Sequence, residues 1–361
     1  MDIETKVELV KREPLEEVVT ETGLHTLLET TEHPRHYIGL EISGLLHLGS
    51  LVIVGFKIRD FIKAGFDCRV FLADWHSYLN NKFEGDWNKI KLAANYYAEA
   101  FRFFCPGVKI ILGSDLYRQS EDYWERFVRF SKQITLARNA RCLTILGRSE
   151  HEKLDFGQYL YPPMQAVDIK EMNLDMAHAG MDQRKVHMLV REVFPKVGWK
   201  TPIAVHHRIL PGLAEPIQMI TAKDDKIVAS KMSKSKPWTA IFIQDGFNEI
   251  NEKLKKAWCP PKLVIENPVL EIVRNIIFHE MPSFEIERPA KYGGSINFEK
   301  YKDLEISYLK GDVHPADLKA SVAVHLNKIL EPVRKHFEEK QELLEVYKDN
   351  KKTKKQKTYA N

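Results

Sequence analysis

The sequence predicts an α/β fold: a Rossmann-like parallel-sheet domain followed by an all-helical C-terminal domain. Up to about residue 210, short and nearly continuous apolar runs recur with helix-like stretches between them. Such runs suit strands covered on both faces, and their alternation with helices implies a parallel sheet that binds ligands at the carboxyl ends of its strands. After about Gly246 the strand signal fades and only helical spacing remains. At 361 residues the chain also exceeds the usual size of one compact core, so two domains are the natural division.

Residues 1–34 are expected as a helical N-terminal extension; their start, "MDIETKVELV", has no signal-peptide core. "HYIGLE" (His36 to Glu41) reads as the first strand. It leads through Ser43 and Gly44 into a segment where Leu48, Leu51, Val54, Ile58, Phe61 and Ile62 recur at helical intervals. "CRVFLAD", "VKIILGS", "LDMAHAG" and "IAVHHRIL" supply further strands, giving a domain over 35–222 with an insertion at about 115–155. "SKMSKSKPWT" (Ser230 to Thr239) has no apolar period and is expected as a cationic loop within a linker over 223–245. "FNEINEKLKKAW", "NPVLEIVRNIIF" and "PADLKASVAVHLNKILEPVRKHF" have helical spacing and define 246–345, and the lysine-rich tail 346–361 is expected to be unstructured.

Composition narrows the function classes. Hydrophobic residues at 44% and charged residues at 29% allow a real core under a dense ionic surface. A formal charge of +4 is no polycation, so any anionic partner must be met by local patches. Cys68, Cys105, Cys142 and Cys259 form no C-x-x-C pair and lack zinc or disulfide spacing, which fits a reducing cytoplasm. No stretch reaches the roughly 20 apolar residues that span a bilayer.

In "SGLLHLGS" the turn after the first strand puts His47, Gly49 and Ser50 at a helix start, where free N–H groups and the helix dipole favour anions. Gly49 would let a flat purine approach the backbone. Alone, this is an ordinary strand-to-helix turn with His47 as a polar cap, and the lysine loop alone is solvated surface or an address signal. Together they resemble the HIGH and KMSKS signatures of class I aminoacyl-tRNA synthetases, the second matching letter for letter from Lys231 to Ser235. The resemblance implies an ATP site comprising Gly39, His47, Gly49, Ser50, Asp182, Lys231, Met232, Ser233, Lys234 and Ser235. His47, Lys231 and Lys234 would be catalytic, with the two lysines clamping the phosphates and Mg2+ arriving on ATP, not on a protein-held metal site. Ser50 stands where the family has its second histidine, and Glu41-Ile42-Ser43-Gly44 where many relatives read E-P-S-G.

"QYLYPPMQAVDI" places Pro162 and Pro163 in a first helical turn and puts Tyr161, Gln165 and Asp168 on one side, opposite Met164, Val167 and Ile169. Spacing alone would make that stripe a solvent face. The stretch is similar to the amino-acid helix of tyrosyl-tRNA synthetases of the compact archaeal and eukaryotic type. That similarity implies that Tyr161 and Gln165 hold the substrate ammonium while Asp168, with Tyr37, receives its phenolic hydroxyl. Such a site rejects phenylalanine by leaving buried groups unpaired, an effect for which this family is itself the type case. In "GMDQRK" the resemblance puts Asp182 on the ATP ribose and Gln183 on tyrosine; the residues alone show a favourable acid at a helix N-terminus. In "LADWHSYLN" it puts Leu72 and His76 beside the pocket, where His76 also reads as a core histidine.

"DVHPADLK" has Pro315 at a first helical position and Asp317 in the first turn. By resemblance, His314 and Asp317 recognise the first anticodon base, a guanine, with Phe278 stacking on it, and Arg184, aided by Arg138 or Arg141, faces the acceptor end. The similarity runs roughly from Arg35 to Phe337. It implies tyrosine activation by ATP and transfer to tRNA(Tyr) by a cytoplasmic homodimer, with 35–222 catalytic and 246–345 binding the anticodon. Two rivals stand beside it. A tryptophanyl enzyme would leave Tyr37 and Asp168 without a hydroxyl, and a catalytically silent RNA-binding relative would take Ser50 as its first sign of decay against an intact Lys231–Ser235.

Overall fold

The structure, a computed structural model, describes residues 1–146, 154–216, 230–234 and 236–348. The chain divides into two compact units, one formed by Met1–Gly44, Lys57–Arg208 and Glu342 onward, the other by Leu45–Phe56 and Ile209–Gln341. This differs from the contiguous division expected from the sequence. The stretch after Gly44 joins the later unit because its backbone pairs with residues near 242: Leu48 N–H donates to the Ile241 carbonyl at 3.0 Å and Ile243 N–H to the Leu46 carbonyl at 3.1 Å.

In the first unit a six-stranded sheet has the order β1-β6-β5-β2-β3-β4. The strands are β1 Leu15–Val19, β2 Arg35–Glu41, β3 Asp67–Ala73, β4 Lys109–Leu112, β5 Met176–Gly180 and β6 Ile203–His207. β2 to β6 pair in parallel, as their unbroken apolar runs require. β1 lies antiparallel to β6, so the N-terminal segment, expected to be helical, also supplies an edge strand, with Val18 opposite Val205 and Val19 opposite Ala204. Two adjacent valines favour that extended backbone. Tyr37 in β2 faces Arg69 of β3 on one side and Ala177 of β5 on the other. The chain leaves β2 in opposite directions at this point, and a doubly wound sheet opens a crevice there.

Helices α1 Ile3–Lys11 and α2 Glu21–Thr30 flank β1 in sequence, and α3 Val54–Lys63, α4 Asp74–Leu79 and α5 Trp87–Phe104 follow β2 and β3. After β4 come α6 Gly113–Gln119, α7 Tyr123–Ser131, α8 Leu136–Ala140, α9 Tyr161–Glu171 and α10 Arg184–Val193. Helical spacing from Leu48 predicts an α-helix there, but Leu48–Ile53 is wound as a π-helix and the α-helix begins only at Val54. The core of the unit joins Tyr37, Phe71, Phe127, Phe130, Val167 and Leu189.

The second unit is built mainly of helices, the longest being Pro315–Glu338, against which Phe247–Lys256 packs. It also holds a small antiparallel pair, Phe284–Ile286 with Ile296–Phe298, too short to show alternation in the sequence. The tail expected to be unstructured from residue 346 is instead ordered to Lys348, because Val346 and Tyr347 are buried among aromatic side chains. Residues 349–361, like 147–153, 217–229 and Ser235, lie outside the described residues. Among the described residues no helix is long and apolar enough to cross a membrane.

Candidate active site

Pro162 and Pro163 open α9 and fix its first turn. The stripe on its side faces inward: Tyr161 and Asp168 are buried and Gln165 is half-buried. Asp168 Oδ1 accepts a hydrogen bond from the Tyr123 hydroxyl of α7 at 2.8 Å. His76 Nε2 stands 3.6 Å from the other carboxylate oxygen, and its ring meets Tyr161 edge-on at 4.5 Å. Burial lowers the His76 pKa to about 3, so the imidazole is neutral and gives the carboxylate no cation. Burial raises the Asp168 pKa well above the carboxylate range, against the pull of the Tyr123 and Tyr117 hydroxyls. The Tyr37 phenol is pushed up by its burial and by the charge of Asp168, with a hydrogen bond from Gln165 acting the other way.

Around this carboxylate lie buried polar atoms with no hydrogen-bond partner in the protein: both ring nitrogens of His76, Gln165 Oε1 and Asp74 Oδ2. Buried polar atoms are almost always paired, so their gathering at one place offers partners to a polar ligand. Gly39, two residues after Tyr37 on the same face of β2, is exposed although its strand is central. A Cβ there would sit 3.4 Å from the Tyr37 ring, so the bare backbone keeps this face open to a flat group. Leu72, 1% exposed, lies within β3.

The turn after β5 carries Asp182 and Gln183. Gln183 Nε2 donates to the Ile145 carbonyl at 3.0 Å. The Tyr161 phenol is raised by its burial and then by the nearby charges of Glu41 and Asp182, which puts these acids at the same end of the sheet. Arg184 forks onto Glu17 of β1, with Nε to Oε2 at 2.8 Å and Nη2 to Oε1 at 2.8 Å. Arg138 likewise pairs with Glu192 at 3.0 Å.

In the second unit His47 caps the turn that follows it. Its Nδ1 accepts from Gly49 N–H at 3.1 Å, and Ser50 Oγ accepts from His47 N–H at 2.9 Å. The polar-cap reading of this stretch is therefore met, and Ser50 acts within the cap. Because Nδ1 is an acceptor, the neutral ring carries its proton on Nε2. Burial keeps His47 neutral, with the charges of Lys234 and Lys231 lowering its pKa further, so both lysines of the second signature lie within electrostatic reach of the first. Met232 is buried and its N–H donates to the Leu210 carbonyl at 2.9 Å, which seats the lysine loop; Ser233 accepts from Lys236 N–H at 3.2 Å. Phe242 meets His47 edge-on at 6.4 Å, its N–H held by Asp245 at 2.8 Å. Elsewhere in this unit, exposed His314 caps the long helix through Ala316 N–H at 3.2 Å, and Asp317 lies in its first turn. Phe278 is half-buried, edge-on to Phe284 at 6.3 Å and to Tyr301 at 6.4 Å.

Sequence reasoning missed Tyr117, Tyr123 and Glu17. Its only signal for the tyrosines was three aromatics in an otherwise polar stretch, "YRQSEDYW", which fits a surface equally well. Among the described residues no group of three or more His, Cys, Asp or Glu side chains is placed to hold a metal ion.

Comparison with known proteins follows the same lines. Residues 29–331 match the family described as tRNA synthetases class I (W and Y). The chain is similar to a tyrosine–tRNA ligase of Thermococcus sibiricus, 44% identical over 370 residues that cover 96% of this chain and 98% of that one. It is also similar to the crystal structure of tyrosyl-tRNA synthetase complexed with L-tyrosine from Pyrococcus horikoshii, with TM-score 0.89, 43% identity and coverage of 96% and 99%. The corresponding L-tyrosine complex from Archaeoglobus fulgidus gives TM-score 0.83 at 37% identity, covering 92% of this chain and 99% of that one.

Proposed function

The chain belongs to the class I tRNA synthetases of the tryptophan and tyrosine family and acts as a tyrosine–tRNA ligase; from that premise we propose how its residues divide the work. Tyrosine enters the cavity around Asp168 with its phenolic hydroxyl between Asp168 and Tyr37. The observation that carries this is the buried carboxylate without a cation, ringed by hydroxyls and unpaired polar atoms. An indole has no hydroxyl to satisfy them, which disfavours a tryptophanyl enzyme. Tyr161 and Gln165 receive the ammonium, for which Gln165 Oε1 is a free acceptor, and Gln183 binds the same substrate. Leu72 and His76 wall the slot.

ATP is taken by Gly39, His47, Gly49, Ser50 and Asp182, the last on the ribose. Lys231, Met232, Ser233, Lys234 and Ser235 close over the phosphates, which bring their own Mg2+. The tyrosine carboxylate attacks the α-phosphorus and pyrophosphate leaves. His47 contributes an Nε2–H donor to a phosphate oxygen, and the two lysines stabilise charge that grows in the transition state. A ribose hydroxyl of the tRNA terminus then attacks the activated carbonyl and AMP leaves. Its anticodon is read by His314, Asp317 and Phe278. Arg184, whose guanidinium forks onto Glu17, faces the acceptor end.

The division into a catalytic region over 35–222, a signature loop over 223–245 and an anticodon region over 246–345 belongs to the same proposal. So do a cytoplasmic location and a homodimer, the latter supported by Trp124, Leu136 and Phe156, which leave 70%, 70% and 79% of their surface exposed. The test is pyrophosphate exchange with each of the twenty amino acids. Tyrosine alone should stimulate it; exchange driven by tryptophan would overturn the substrate, and none at all would favour the silent RNA-binding relative.

A further inference from the structure

The turn Ile42–Gly44 has no regular structure, yet its backbone groups are held by side chains from distant parts of the first unit. Ile42 N–H donates to Ser77 Oγ at 2.7 Å, and Ser43 N–H donates to the Tyr97 hydroxyl at 3.2 Å. The same Tyr97 hydroxyl donates to the Gly44 carbonyl at 2.9 Å. The Ser43 carbonyl accepts from the Tyr347 hydroxyl at 3.2 Å. Tyr347 is 8% exposed; its ring lies edge-on to Tyr96 at 5.4 Å and tilted against Phe83 at 5.9 Å, while Tyr96 in turn meets Tyr97 at 5.8 Å. A segment after the longest helix thus reaches back to a turn some 300 residues earlier. Loops usually leave such groups to water. Here Gly44 is the last residue before Leu45–Phe56, the stretch containing His47, Gly49 and Ser50.

We propose that Tyr347 is a positioning residue for ATP use: with Tyr97 it fixes the Ser43–Gly44 turn from which the His47–Ser50 segment departs. A displacement of about 1 Å in such a group can cost about a hundredfold in rate. The tyrosine pocket is held by other contacts, those of Tyr123 in α7 and His76 in α4 with Asp168 in α9, none of them made by Tyr347, so it should not feel the loss. Burial raises the Tyr347 phenol well above its ordinary value, so it remains a donor throughout the working pH range. The inference rests on the reading of His47–Ser50 as part of the ATP site.

The experiment compares wild type, Tyr347→Phe, Tyr347→Ala and Tyr97→Phe by pyrophosphate exchange with ATP and tyrosine varied separately, together with ATP Kd by calorimetry and the thermal midpoint. Tyr347→Ala should raise the ATP KM by about fivefold or more while the tyrosine KM stays within about twofold, with Tyr347→Phe between it and wild type. An ATP KM and Kd unchanged in Tyr347→Ala, or a tyrosine KM that rises in parallel, overturns the proposal. If Tyr347→Ala does not fold, Tyr347→Phe decides alone, and an ATP KM equal to wild type overturns it. Lack of tyrosine-dependent exchange in wild type strikes the reading of the site instead, and the ATP Kd of the variants then decides the positioning role by itself.

Discussion

Asp168 has no cation beside it, so hydroxyls must solvate whatever charge it carries. Tyr123 does so at 2.8 Å, and a hydrogen bond to a charged group contributes about 1.5–3 kcal/mol. Tyr123→Phe should therefore lower kcat/KM for tyrosine by about tenfold to a hundredfold and leave the ATP KM unchanged, as steady-state exchange assays would report. The sign of the pH effect follows. Burial already raises the Asp168 pKa and Tyr123 opposes it, so removing the hydroxyl raises the pKa further. The ionised form, which in the proposed site accepts the substrate hydroxyl, is then lost at higher pH, and the acid limb of the profile moves upward; an unmoved limb would show that Tyr123 does not act through Asp168.

Three strands of the first unit are joined by imidazoles on the face opposite Tyr37. His36 Nε2 of β2 lies 3.2 Å from His178 Nδ1 of β5, and His178 Nε2 lies 2.8 Å from His207 Nδ1 of β6. Burial lowers all three pKa values, His36 to about 3 and His207 to about 4, with the charges of Arg69 on His36 and Lys57 on His178 and His207 adding to it, while Asp67 and Asp182 oppose it at His36 and His207. Folded pKa values below the ordinary 6.5 mean that the unfolded chain binds protons first as pH falls. Stability is thus complete above about pH 6.5 and drains toward pH 4, by up to ~1.4 kcal/mol per pH unit for each histidine. Urea midpoints measured between neutrality and pH 4.5 should fall accordingly, and His207→Gln should flatten the slope. These histidines also mark what the sequence could reveal. The apolar runs around them were legible as strands because burial on both faces writes itself into consecutive residues. Their mutual contacts were not, since they depend on a strand order that brings residue 36 beside residue 178. The same holds within the candidate site: Tyr37 and Asp168 stand in motifs that the sequence displays, whereas Tyr123 and Glu17 join it only through contacts between separate elements.

At the scale of the whole molecule, Trp124, Leu136 and Phe156 are large apolar side chains that the first unit does not cover. Trp124→Glu combined with Leu136→Glu should shift sedimentation from dimer toward monomer with circular dichroism unchanged; a wild type that sediments as a monomer would refute the assembly. The discontinuity of the two units has a consequence for biosynthesis. β1 to β6 have all been synthesised once His207 is made, and the first sheet can form before the second unit is complete. Leu46 and Leu48 must wait for Ile243 and Ile241, roughly 190 residues further on, which at bacterial-to-eukaryotic translation speeds is on the order of ten to forty seconds. The nascent chain therefore carries its His47 stretch without these backbone partners for that interval, long after the strands on either side of Tyr37 have been made.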